Sequence, residues 1–179
     1  MNKKTIKMNS ADIISIRKNL DIEIMKAWKT IRSENVMSTK EIKMGCGSGK
    51  DLKALLNSIT QMQQKRIKIK ALLFYLNMGH TTFDYDEFKK TNNYNIFAAC
   101  EAKEAFAQLK MIPTLDPTAK AKKAKSVANK KETFTSAKIV SMLKNYQLEI
   151  NKYDAALEAF NNNTEIEIND DSFTSDLTA

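Results

Sequence analysis

The sequence predicts an all-α protein: four long amphipathic helices in a hairpin or bundle arrangement, with a basic loop and an acidic C-terminal tail. Three observations predict it. Four glycines and two prolines in 179 residues leave the chain few places to turn, which suits a small number of long helices better than a many-stranded sheet. Apolar residues recur at spacings of three and four in four separate stretches. Hydrophobic residues make up 42% of the chain, so one packed core is within reach and global disorder is not expected.

The spacing predicts a first helix over 11–36, capped by Ser10, with Ile13, Ile16, Leu20, Ile24, Ala27 and Ile31 on one face and Trp28 beside it. A loop follows with three of the four glycines, Gly45, Gly47 and Gly49, and reads as the most flexible point of the folded part. The second helix is expected over 51–77, with Ser48 as cap and Gly79 as stop. Its seam is Leu52, Leu55, Ile59, Met62, Arg66, Ile69, Leu73 and Leu76; only Arg66 breaks the apolar heptad.

A third helix is expected over 84–111, with Asp84 and Glu87 as a capping box. Phe88, Ile96, Ala99, Phe106 and Leu109 lie near one face, interrupted by Asn92 and Lys103, and Pro113 and Pro117 prevent continuation. Residues 112–134 are expected to form a basic mobile loop, because TAKAKKAKSVANKK (118–131) holds six lysines, no acid and little to bury. The fourth helix, 136–160, has the most regular seam: Ile139, Leu143, Tyr146, Ile150, Tyr153, Leu157 and Phe160. These four helices make one domain, 1–160. The remainder, 161–179, has five acids and no base and reads as a largely disordered tail, with a short extended piece allowed at TEIEI.

The net charge of +8 favours an acidic partner such as nucleic acid, an anionic membrane or an acidic protein, against the plainer reading of a solvated lysine-rich surface. Two clusters carry the nucleic-acid reading. One is Lys65, Arg66, Lys68 and Lys70 on the second helix, just before Phe74 and Tyr75; the other is Lys120, Lys122, Lys123, Lys125, Lys130 and Lys131. Arg66 sits on the seam, where it is expected to pair with a carboxylate or snorkel outward. The basic tract also reads as a linker neutralised by the acidic tail.

No catalytic or metal site is expected, and no cofactor. Two cysteines, Cys46 and Cys100, and one histidine, His80, are too few for a structural zinc site. Cys100 reads as a small core residue and Cys46 as exposed; two reduced thiols are the simpler reading, with a disulfide left open. MGCGSGKD (44–51) departs from a phosphate loop at both ends: Met44 replaces the first glycine and Asp51 the final hydroxyl residue. His80 lacks a positioned nucleophile. No run of about 18 apolar residues and no signal-peptide h-region is present. The Lys-, Asn- and Ile-rich composition is in keeping with an AT-rich bacterial or phage genome. The expected location is the cytoplasm of a bacterial or phage-infected cell, with the virion as a further one.

IISIRKNLDIEI (13–24) is similar to the opening helix of the septicolysin-like bacterial proteins, an all-helical family of unknown function. Arg17, Leu20 and Ile24 match its apolar, Arg, Leu, apolar pattern. Leu76-Asn77 followed by TTFDYDEF resembles the end of the family's second helix, and NNNTEIEI (161–168) the end of its last. Order and lengths agree over most of the chain, although the family's acidic inter-helix loop is replaced by the basic, glycine-rich one. The resemblance implies a helical-hairpin fold and self-association; it supplies no catalytic residue. The expectation is therefore a non-enzymatic interaction or assembly protein that pairs with itself or another protein through the seams of the second and fourth helices. The alternative is a nucleic-acid-binding accessory or inhibitor protein.

Overall fold

The computed structural model describes residues 7–125 and 127–165. The expectation of a disordered acidic tail falls mostly on 166–179, outside the described residues, as does the end of TEIEI. The elements are α1 (Ser10–Glu34), β1 (Val36–Ser38), α2 (Thr39–Lys43), α3 (Leu52–Asn77), α4 (Tyr85–Phe88), α5 (Asn92–Lys110), α6 (Pro117–Ala121), β2 (Lys130–Glu132) and α7 (Ser136–Asn163). The protein is predominantly α-helical; the two strands pair antiparallel, with Met37 opposite Lys131.

Four long helices alternate in direction. The start of α1 and the end of α3 line one crevice, through Ile13 and Leu76, while Ile24 and Ile31 share a core with Leu52 and Ile59. Likewise Tyr94, early in α5, meets Tyr153, late in α7. The helices therefore run up, down, up and down, the arrangement that short connections favour.

The local signals that start and stop these helices are identifiable. Asn9, not Ser10, caps α1, in a capping box with Asp12: its side chain accepts from the Asp12 N–H while its own backbone is still extended. Asp51 caps α3 by accepting from the Lys53 N–H at 2.9 Å, and Ser48 does other work, described below. Gly79, with φ +80°, ends that helix in the left-handed geometry that glycine adopts without a Cβ clash.

The helix expected over 84–111 is two helices. Asp84 caps α4 through the N–H groups of Asp86 and Glu87, but Glu87 pairs with Lys90 and does not complete the box. The chain breaks at Lys89–Thr91, where the Thr91 hydroxyl donates back to the Phe88 carbonyl at 2.8 Å. Such short polar side chains compete for backbone groups and interrupt helices. The break turns Phe88 fully inward.

Two apolar clusters fill the bundle. One, near β1, gathers Trp28, Ile31, Leu52, Ile59, Leu109, Phe134 and Ile139. The other, at the opposite end, is aromatic: Phe88 is ringed by Tyr75, Phe83, Tyr85, Tyr94 and Phe97 at centroid separations of 5.9–6.2 Å, within the range for favourable edge and offset contacts. Between them lies a charged layer. Arg66 donates to Glu101 on α5 (2.8 and 3.0 Å from Nε) and to Asp21 on α1 (2.9 Å), and also pairs with Glu104. Lys70 reaches Glu101 at 2.8 Å.

The seams are used inside this bundle. Leu52, Ile59, Ile139 and Ile150 are buried; Leu55, Met62, Leu143 and Tyr146 pack against the first cluster. On α3 the buried face moves round after Arg66 to Ile67 and Ala71, leaving Ile69, Leu73 and Leu76 half-buried. An α-helix drifts relative to a strict heptad, and α3 packs against α1, α4 and α5. Leu157 and Tyr153 are half-buried and Phe160 is exposed. On α1, Ile16 is exposed, whereas Trp28, expected beside the face, is wholly buried.

Burial pushes the Tyr153 hydroxyl up to about 12, with Tyr94 and Glu149 adding to the effect; burial raises Tyr146 as well. The unfolded phenol loses its proton near 10. Stability is thus fully present below about pH 10 and declines as pH rises toward the folded value. We expect the urea midpoint to fall from about pH 9 to about pH 11, and Tyr153→Phe to flatten that fall. An unchanged slope in the variant would place Tyr153 in water.

Candidate nucleic-acid interface

The two segments that read as independent loops form one structure at the β1 end of the bundle. Asn35, 1% exposed, is its anchor. Its amide donates to the carbonyls of Pro113 (2.7 Å) and Phe134 (2.9 Å), and its Oδ1 accepts from the Phe134 N–H (2.7 Å). One buried side chain so ties the end of α1 to both ends of the expected mobile loop, satisfying backbone groups that burial would otherwise leave unpaired.

From there β2 pairs with β1, and the Thr39 N–H and hydroxyl both donate to the Asn129 carbonyl (2.6 and 3.0 Å). Asp116 caps α6. The Glu132 carboxylate, 4% exposed, accepts from the Leu115 N–H (2.9 Å) and from Lys120 (2.8 Å). The region expected to be a mobile loop, 112–134, is thus held at both ends and carries α6 and β2 between them; the sparse apolar content is compensated by buried polar bonds to Asn35 and Glu132.

The glycine loop is held too. The Ser48 N–H and hydroxyl both donate to the Glu34 carboxylate at 2.9 Å. Asp51 caps α3, which accounts for an aspartate where a phosphate loop needs a hydroxyl. A cavity of about 430 Å³ lies between the two segments, lined by Glu34, Met37, Ile42, Lys50, Lys131 and Thr133 among others.

The result is a basic cap. Lys122, Lys123, Lys125, Lys130 and Lys131 are exposed and form no ion pair among the described residues; Lys120 is engaged by Glu132. The strand pairing adds Lys40, Lys43 and Lys50, also exposed, which sequence reasoning missed. Their signal was present in the chain, but only the β1–β2 register sets them beside the tract. Within this cap the Glu41 carboxyl is held below its ordinary value by hydrogen bonds from Ser38, with Lys130 adding to the effect.

The second basic cluster is dispersed. Arg66 is enclosed by Asp21, Glu101 and Glu104 and cannot reach a phosphate; Lys70 is tied to Glu101. Lys68 lies 4.9 Å above the Tyr85 ring, and Lys65 is exposed. Phe74 is half-buried and Tyr75 belongs to the aromatic cluster, so neither is offered as a stacking platform.

The remaining reactive groups do not converge. Cys46 and Cys100 are both free and exposed. Cys100 was expected in the core, but α5 buries Ala98, Ala99, Ala102 and Ala105, and position 100 falls roughly 200° round the helix from Ala98. His80 is exposed and its ring lies 5.1 Å from that of Tyr75. Among the described residues no three His, Cys, Asp or Glu side chains are grouped to hold a metal ion, and no helix is long and apolar enough to cross a membrane.

Compared with protein-family models, curated proteins and solved structures, the chain matches none. The likeness to the septicolysin-like proteins rests on the residues quoted for it.

Proposed function

We propose that this chain is a non-enzymatic interaction or assembly protein of bacterial or phage origin, a helical scaffold that presents its basic cap to a polyanion, nucleic acid first, and that also associates with itself. The observation that carries the polyanion reading is the gathering, from two distant segments onto one end of the bundle, of eight exposed lysines that form no ion pair among the described residues. Scattered lysines are an ordinary solvated surface; lysines concentrated on a held backbone make a local positive field that attracts phosphates and releases their counterions. Nothing in the cap reads bases, so binding is expected to be indifferent to sequence.

The test is anisotropy of a labelled DNA duplex from about 50 to 200 mM salt. Each phosphate engaged contributes about 0.9 to the log–log salt slope. Replacing Lys122, Lys123 and Lys125 by glutamate should flatten that slope by about two to three and weaken binding at low salt. Replacing Lys65 and Lys68 should change neither. An unaltered slope in the triple variant would remove the cap from any phosphate contact.

A further inference from the structure

Helix α1 has a second apolar face. Its inner face is buried, yet Ile14, Ile22 and Met25 are 41%, 52% and 50% exposed on the outer side. Isolated surface apolar groups need no explanation, but the order in which these occur does. Residues 14, 18, 21 and 25 follow at gaps of four, three and four, so they line up along one side of the helix. Read along the chain they are Ile14, Lys18, Asp21 and Met25: apolar, base, acid, apolar.

Reversed, that line is its own complement. A copy of α1 laid antiparallel, centred between positions 19 and 20, sets Ile14 against Met25 of the second copy, and Lys18 against Asp21 of the second copy, twice over. A parallel copy would oppose Lys18 to Lys18 and Asp21 to Asp21, which repel. Asp21 is half-exposed, 40% at the side chain. Its Oδ1 is held by Arg66 at 2.9 Å, while Arg17 approaches Oδ2 only to 3.8 Å. The carboxylate is therefore fixed in position and still open to an incoming ammonium.

We propose that α1 pairs with α1 of a second copy in this antiparallel register, forming a twofold dimer. Such an interface is isologous, each contact occurring twice. This deepens the self-association part of the proposed function and rests on it, naming the surface and the register. It also places the two basic caps at opposite ends of the dimer.

The experiment is the mass by light scattering across protein concentration, for the full chain and three variants. The wild type should reach twice the chain mass. Ile14→Lys and Met25→Glu, each alone, should raise the dimer dissociation constant about tenfold or more, the scale of losing buried apolar contacts made twice. The combination I14K/M25E should regain the dimer, because positions 14 and 25 meet only between copies. Both sites are exposed, and helical circular dichroism checks that each variant is folded. A wild type that stays monomeric overturns self-association itself. A dimer that ignores the single changes, or a double variant that stays monomeric, overturns this face and register while self-association stands. DNA retention is unaffected in every case, because the cap lysines remain.

Discussion

Arg66→Ala is expected to destabilise the folded protein by about 3–5 kcal/mol, read as a lower urea midpoint at an unchanged slope. The guanidinium is 6% exposed and bridges three helices, donating to Glu101 on α5 and Asp21 on α1 while also pairing with Glu104. Burial alone would depress its pKa; hydrogen bonds to Glu101 and Asp21 outweigh that and hold it above its ordinary value. It therefore stays charged throughout the range in which the fold persists. Among the described residues its removal leaves Glu101, 5% exposed, with Lys70 as the remaining cation, and an incompletely paired buried charge is the costly case.

The complementary change separates the pair's own contribution from the cost of orphaning it. Arg66→Met with Glu101→Leu should recover most of the loss, because apolar groups of similar volume replace a buried pair at little cost. If Arg66→Ala alone changed the stability by less than about 1 kcal/mol, the layer would be solvated and of surface value only.

Trp28→Ala is expected to cost about 3–5 kcal/mol. Trp28 is fully buried among Ile24, Ile31, Leu52 and Ile59 and their neighbours, so truncation removes the largest side chain of the first cluster and leaves a void that close packing cannot collapse. Trp28→Phe should be far milder. The indole Nε1–H is buried without a hydrogen-bond partner among the described residues, a state that costs about 1–3 kcal/mol, and phenylalanine relieves it while keeping much of the apolar area. The chain has one tryptophan, so wild-type unfolding is followed by its emission and the variants by circular dichroism. A phenylalanine variant as unstable as the alanine one would show that Nε1–H has a partner in solution.

Much of this architecture was legible in the chain. The periodicity of Ile13, Leu20, Ile24 and Ile31, of Leu52 and Ile59, and of Ile139 and Ile150 located α1, α3 and α7 to within a few residues, because burial of one face at helical spacing is a local pattern. Arg66 stood out as the one polar residue of a seam, to be paired with a carboxylate or to snorkel outward; the structure pairs it. Asn92, which with Thr91 marks the division of the third helix, was also in view, but it reads in the sequence as an interruption of one long face and not as a new start.

What burial and charge do across the chain was less accessible. The heptad seams looked available to a second copy because nothing in a one-dimensional pattern says which helix will cover them. The cap could not be seen at all, since its two halves lie some ninety residues apart and meet through Asn35, Thr39 and a three-residue strand pairing. Such short, polar, long-range contacts have no periodicity.

By itself, then, the sequence determined the helical class, the number of long helices and the faces they must hide, because those follow from the spacing of apolar residues within a few turns. The tertiary structure alone decided which faces were covered, which carboxylates met Arg66 and which lysines stood together, because each depends on residues distant in the chain being brought within a few ångströms.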